Sequence, residues 1–231
     1  MSGELSMKML ALEFSSAQRS VAVAVAGPVP ESRPAVPGFS SEMGGRSTRA
    51  FGLIETALEQ AKIQREEIEC LVVGRGPGSY TGIRAAIAIV QGWQLGRPIN
   101  VLGLSSAVAI AAEAQRRGIS GHVHVIIDAQ RSEFYLAGYE IDANGSRETA
   151  PRRIVSKDAI EALGRAGEIL VGPELWPDIP GVRQIFPRAD ALARLAMGGK
   201  DFINAEKLEP IYLRETAFVK AAPARDWSRN L

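Results

Sequence analysis

Two carboxylates and one glycine-rich turn supply the residue types that could do chemistry in this 231-residue chain. Glu13 closes the apolar run Leu10-Ala11-Leu12, and Asp128 closes Val125-Ile126-Ile127. A polar turn follows each acid. Either acid can therefore be an ordinary hairpin-turn residue, or the two can flank a cleft as metal-linked carboxylates next to phosphate. Between them in sequence lies Gly74-Arg75-Gly76-Pro77-Gly78-Ser79-Tyr80-Thr81-Gly82-Ile83-Arg84, with four glycines and one proline in nine residues. Glycine allows positive φ and close approach, and proline fixes φ and removes a donor, so this turn holds one shape. Ser79 or Thr81 can cap the helix that follows, and the unpaired N–H groups of its first turn suit an anion.

The known templates narrow the turn's chemistry. A phosphate-binding P-loop requires Lys after its last glycine, and Ile83 follows Gly82. The dinucleotide pattern requires a third glycine where Ser79 and Thr81 stand. A serine-hydrolase elbow requires glycines two residues before and after its nucleophile, and Ser79 has Pro77 and Thr81 there. Ser79 is read as a cap or turn residue. Arg84, a cation in the first helical turn, opposes the helix dipole and serves either a nearby carboxylate or an anion. His122 and His124 alternate along one strand face with no third ligand in view, so they are read as surface or satisfied histidines and no metal site is expected. No catalytic residue is assigned.

These residues must be positioned by α/β elements. Met9 to Phe14 and Ser20 to Ala26 predict a hairpin with Glu13 at its tip, and the prolines between Gly27 and Gly38 predict an exposed loop before a short edge strand near Phe39. Ser47 to Lys62 carries a one-sided apolar stripe, the pattern of an amphipathic helix. Glu69 to Gly74 is a buried strand, and Gly82 to about Leu95 a helix with so few polar residues that nearly all its faces should be covered. Ala85, Ala88, Gly92 and Gly96 form a small-residue stripe on it that admits another helix, from this chain or from a second polypeptide. Ile99 to Gly103 is a strand and Ser105 to Arg117 a helix; His122 to Asp128 and Phe134 to Tyr139 then repeat the opening hairpin plan, as in a duplicated α/β unit. After Asn144-Gly145 the signal weakens to a helix over Ser156 to Leu163, a strand over Glu168 to Gly172, a loop over Pro173 to Pro187, a helix over Arg188 to Met197, an extended tail, and disorder from Pro223.

Composition sets the outer bounds. The chain is 46% hydrophobic with a net charge of +1, enough to bury a substantial core and without a basic field to argue for nucleic acid. The doublets Arg116-Arg117 and Arg152-Arg153 read as solvated surface. Cys70, the single cysteine, reads as a small core residue in a reducing compartment. Met1 to Met9 lacks the apolar region of a signal peptide and no run reaches membrane-spanning length, so a cytoplasmic protein is expected.

The glycine-rich stretch from Gly74 to Arg84 resembles the signature of the bacterial TsaB (YeaZ) proteins, partners in making threonylcarbamoyladenosine on tRNA. Three stretches agree with it in order and spacing: Leu10 to Ser16, Asp128 to Tyr135, and Glu209 to Arg214. The resemblance implies an actin-like ATPase (ASKHA) fold in two duplicated α/β halves, residues 8–104 and 105–231. It implies a non-catalytic subunit that pairs with a TsaD-type transferase, alongside a TsaE-type ATPase, with homodimers in isolation. ATP and metal then belong to the partner subunits, none is bound by this chain alone, tRNA contact is indirect, and no membrane is involved. The glycine-rich turn would contribute Gly76, Pro77, Gly78, Ser79, Tyr80, Thr81, Gly82 and Arg84. The partner surface would lie on helices 47–62 and 82–96, with Phe51, Ile54, Leu58, Ala85, Ala88, Ile89 and Gly92. Two positions depart from the family pattern: Glu13 stands where Asp is usual, and Arg46-Ser47 where a histidine often precedes the first long helix. The alternative is a stand-alone ATPase or phosphotransferase of the same fold using Glu13 and Asp128; a glycoprotease-like activity finds no metal motif or nucleophile–base pair.

Overall fold

A computed structural model of the chain describes residues 7–26, 35–44, 49–197 and 199–211. Strands β1 (Lys8–Glu13), β2 (Gln18–Val25) and β3 (Ala35–Met43) lead into helix α1 (Ala50–Ala61), strand β4 (Cys70–Gly74), helix α2 (Tyr80–Gly96), strand β5 (Asn100–Leu104) and helix α3 (Ser106–Arg116). The plan then repeats. Strands β6 (Gly121–Asp128), β7 (Glu133–Asp142) and β8 (Gly145–Ser156) precede helix α4 (Lys157–Arg165), strands β9 (Ile169–Gly172) and β10 (Val182–Gln184), and helix α5 (Ala189–Leu195).

The two sheets share one topology. The first has the order β3-β2-β1-β4-β5 and the second β8-β7-β6-β9-β10. In each, three antiparallel strands join two parallel ones across the central strand, β1 or β6. This duplicated βββαβ plan is the actin-like α/β fold. In the first sheet helical crossovers join the parallel strands and cover both faces, so Met9 to Leu12 of β1 and all of β4 are apolar rather than alternating. On β1, Leu10 and Leu12 face α1 and α2, while Met9 and Ala11 face α5. On the second sheet, Val123 and Val125 face α3, while Ile126 faces α4. Cys70 sits within the first sheet, where burial pushes its thiol up to about 12 and leaves it an inert core residue.

Several elements differ from the sequence expectation. Residues 27–34 of the proline-rich stretch lie outside the described residues, but Ala35 to Gly38 belong to β3, a nine-residue strand with Pro37 inside it. An edge strand tolerates the missing N–H. Strand β8 was not anticipated because Pro151 lies in a bulge, where Ala150 pairs with Gly138 and Arg153 with Leu136, and because most of the strand is solvent-facing and polar. Strand β10 breaks the expected loop at 182–184. The helix after the glycine-rich turn begins at Tyr80 and not Gly82, because the cap is Ser79.

The larger correction concerns α2. Only Gly82, Ile83, Ala86, Ile87 and Val90 are buried, so one face packs on the sheet and the opposite face is open. Gly92 and Gly96 of its small-residue stripe face open space, with no atom within 4 Å of where a Cβ would be. No described helix is long and apolar enough to cross a membrane.

Candidate functional site

The turn between β4 and α2 is built by close backbone approach. Ser79 N–H donates to Ser15 O at 2.6 Å, and Ser106 N–H donates to Gly76 O at 2.8 Å. The Gly76–Pro77 peptide is cis. Gly78 has φ +142 and its missing side chain faces Ser15 O, so only glycine fits. At Gly82 a Cβ would overlap both Phe14 O and the Arg19 guanidinium. Ser79 Oγ accepts from Gly82 N–H at 3.4 Å, as a cap does, and is not poised as a nucleophile. Gly76, Pro77 and Gly82 are buried, Gly78 and Ser79 are half-buried, and Tyr80 and Thr81 are exposed. Arg84 folds back onto Tyr80. It donates from Nη1 to Tyr80 Oη at 2.9 Å and stacks over the same ring.

Glu13 is the second correction. It is fully buried and does not reach the cleft. Oε1 accepts from Ser15 N–H at 2.8 Å, and Oε2 accepts from Ser106 Oγ at 2.8 Å. Ser106 Oγ in turn accepts from Gly76 N–H at 3.2 Å. Burial raises the Glu13 carboxyl above its ordinary value, against the opposing pull of these hydrogen bonds and of Arg19. The acid thus staples β1, α3 and the glycine-rich turn from the inside. Arg19, 8% exposed, donates to Phe14 O at 2.7 Å and to Ser79 Oγ at 3.4 Å. Sequence reasoning missed Arg19 and Ser106 as parts of this site. The signal for Ser106 was its place at a helix start.

Asp128 does face the cleft, a cavity of about 460 Å³. One wall is the Ser15 to Arg19 turn with Gly78, Ser79 and Tyr80, and the other is Asp128, Gln130, Tyr135 and Glu174. Asp128 accepts from Gln130 N–H at 2.7 Å and from Gln130 Nε2 at 2.9 Å, as a hairpin-turn acid does. Glu174, unmarked in the sequence, lies beside it. Burial first, and the Asp128 charge second, push its carboxyl up to about 7. Among the described residues no three His, Cys, Asp or Glu side chains are grouped to hold a metal ion. His124 Nε2 lies 3.4 Å from Glu168 and His122 Nδ1 3.7 Å from Glu140, so each imidazole faces its own carboxylate. An actin-like fold holds a metal–nucleotide in this cleft, but here the first acid points away from it, so the residues present do not fit that group.

The open face of α2 forms another cavity, an apolar groove of about 560 Å³. Phe51, Ile54, Ala88, Ile89, Gly92 and Trp93 line it. Phe51 is 65% exposed and Leu95, further along α2, is 85% exposed, which is costly for side chains of this size. Arg65 stacks on Trp93 at one rim, with its guanidinium 5.7 Å from the ring centre. Ala88 and Gly92 are exposed, and Ala85 and Ile89 half-buried. Ile54 is buried at the groove floor, but Leu58 belongs to the chain's own core and is withdrawn from the candidate surface. A helical stripe read from sequence does not separate the side that meets its own sheet from the side that meets a partner. Trp93 was missed because an aromatic at helical spacing reads as core.

Comparison with known proteins gives three findings. The sequence model of TsaD, tRNA N6-adenosine threonylcarbamoyltransferase, matches residues 46–173. The tRNA threonylcarbamoyladenosine biosynthesis protein TsaB of Escherichia coli is 28% identical over 199 residues, covering 77% of this chain and 84% of that one. Its Haemophilus influenzae counterpart, also named TsaB, is 28% identical over 198 residues with the same coverage. A crystal structure from Pseudomonas aeruginosa, described as an uncharacterized protein with similarity to peptidase YEAZ, superposes with a TM-score of 0.71 at 25% identity, covering 90% of this chain and all of the other.

Proposed function

We propose, from the premise that this chain belongs to the TsaB (YeaZ) family, that it takes part in forming threonylcarbamoyladenosine on tRNA as a non-catalytic accessory subunit. It pairs with a TsaD-type transferase through the α1–α2 groove, and a TsaE-type ATPase acts in the same assembly. ATP and metal are held by those partners. In isolation the same groove pairs two copies of the chain. Residues 8–104 carry the partner face, and residues 105–231 complete the second half.

The observation that carries this reading is the groove itself. A surface helix normally buries its apolar stripe against its own sheet, yet α2 keeps a second apolar face with Ala88 and Gly92 at its centre and Phe51 and Trp93 beside it. Small residues let a partner helix approach closely, and the aromatics supply the buried area that anchors an interface. The inward-facing Glu13 supports the non-catalytic part, since a carboxylate held by Ser15 and Ser106 is not available to a cation in the cleft.

Reconstitution tests the proposal. The transferase, the ATPase, a threonylcarbamoyl donor and tRNA are combined with and without this chain, and the tRNA nucleosides are analysed by mass spectrometry. Modified adenosine is expected only when the chain is present. Equal product without it refutes the accessory role, and magnesium-dependent ATP turnover by the isolated chain, lost in Asp128→Ala, refutes the non-catalytic one.

A further inference from the structure

The doublet Arg116-Arg117 is exposed, and it is anchored from beneath. Glu113, on the preceding turn of α3, has a side chain 1% exposed, and three guanidiniums converge on it. Arg116 grips it with two parallel bonds of 2.7 Å, from Nε to Oε2 and from Nη2 to Oε1. Arg117 donates from Nε to Oε1 at 2.9 Å and from Nη1 to Gln184 O at 3.2 Å. Arg188 lies 4.0 Å from Glu113 and 2.8 Å from Asp190, which Arg194 also reaches at 2.8 Å. The Asp190 side chain is 9% exposed. Arg188 packs over the Phe39 ring, 4.2 Å from its centre. The result is one continuous row, Arg117, Arg116, Arg188, Arg194, standing on two buried acids.

This row holds more positive charge than its acids need. Burial alone would raise both carboxyls, but hydrogen bonds from Arg116 and Arg117 hold Glu113 below its ordinary value, and those from Arg188 and Arg194 do the same for Asp190. One bidentate arginine satisfies a buried carboxylate. Here four guanidiniums stand over two acids, a local excess of two positive charges. The acids lie beneath and the side chains of Arg116, Arg117 and Arg194 are 56%, 44% and 39% exposed above them. Arg116 Nη1 and Arg117 Nη2 make none of the bonds described. Guanidiniums fixed by inner bonds, with outer N–H groups facing water, are pre-organised for phosphate. The whole-chain charge of +1 conceals this local concentration.

We infer that the arginine row on α3 and α5 is a docking surface for the phosphate backbone of RNA. The inference rests on the proposed role in tRNA modification, which supplies the polyanion, and its position agrees with that role. Helix α5 covers the face of the first sheet opposite α1 and α2, so a protein partner in the groove leaves the row uncovered. The contacts are with backbone, and they position RNA without reading its sequence.

Binding of an unmodified, fluorescently labelled tRNA transcript to the full chain, alone and paired with the transferase, tests this by anisotropy between 50 and 200 mM KCl. The double variant Arg116→Gln, Arg194→Gln leaves Glu113 with Arg117 and Arg188, and Asp190 with Arg188, so both acids stay paired and thermal unfolding verifies the fold. Its affinity is expected to fall on the order of tenfold, and the slope of log K against log salt to become shallower by about 1.4 to 1.8, as for two lost phosphate contacts. The variant Arg116→Lys, Arg194→Lys is expected to keep the slope. Unchanged affinity and slope, or no binding by the wild-type chain at 50 mM KCl, overturns the inference and makes the row a brace between α3 and α5. Displacement by polyglutamate as effective as by RNA overturns it in favour of an acidic protein surface. Pairing with the transferase is scored separately by gel filtration, so loss of the accessory role is distinguishable from loss of RNA contact.

Discussion

Replacing Gly92 with leucine should make the isolated chain more stable and its pairing weaker. Gly92 lies in the interior of α2, is exposed, and has no atom within 4 Å of where a Cβ would be. An exposed glycine inside a helix is about 0.8–1 kcal/mol less favourable than alanine, and leucine is nearly as good a helix former. With nothing to clash against, Gly92→Leu should gain about 0.5–1 kcal/mol, which for a chain of this length raises Tm by roughly 1–4 °C. The same side chain projects into the groove between Phe51 and Trp93. A partner fitted to the small residue must shift or lose contact, and overpacking of a fitted interface costs about 1–3 kcal/mol. Pairing should therefore weaken from about fivefold to a hundredfold. Differential scanning calorimetry reads the first effect, and sedimentation or titration calorimetry with the transferase reads the second. Unchanged affinity would show that the groove is not the interface. A Tm lowered by several degrees would show that Gly92 is not open, and the argument would fail at its first step.

Gly82→Ala should destabilise the chain by about 3 kcal/mol in urea unfolding, because the added carbon meets Phe14 O and the Arg19 guanidinium, whereas Thr81→Ala, one residue away and exposed, should stay within about 0.5 kcal/mol. Ser106→Ala removes the donor to Glu13 and the acceptor of Gly76 N–H, and should cost about 2 kcal/mol by the same measurement. Glu174, raised from 4.5 to about 7, contributes stability that is complete below the unfolded value and is lost as pH rises through 7. Glu174→Gln should accordingly match wild type at pH 4 and exceed it at pH 8 by up to about 3 kcal/mol, at 1.36 kcal/mol per pH unit. Parallel pH profiles for the two proteins would sink that account.

The local elements were legible because backbone preferences act over a few residues. The four glycines and Pro77 fixed the turn, Ser79 or Thr81 marked the cap, and the stripe Ala50, Phe51, Ile54, Ala57, Leu58 and Ala61 marked α1, although only Ile54, Ala57 and Leu58 of it are buried. The repeated hairpins disclosed the duplication before either sheet was seen. Family resemblance came from the same short stretches. Strand β8 stayed hidden because its bulge and its arginines erase the alternation that betrays a strand.

Tertiary structure decided what each charged or apolar residue faces. Glu13 and Asp128 occupy equivalent hairpins, but only Glu13 meets a serine 93 residues away, and that bond turns it inward. Which flank of α2 is left open depends on where the sheet, β1 and residues 205–208 pack, none of which the helix's own sequence specifies. Arg116 and Arg117 are exposed, as their sequence suggests, but only tertiary packing brings Arg188 and Asp190 of the α5 segment against Glu113 beneath them. In each case the local sequence sets the chemistry of the group, and contacts with distant segments set its environment, because burial and electrostatic coupling depend on distance in space.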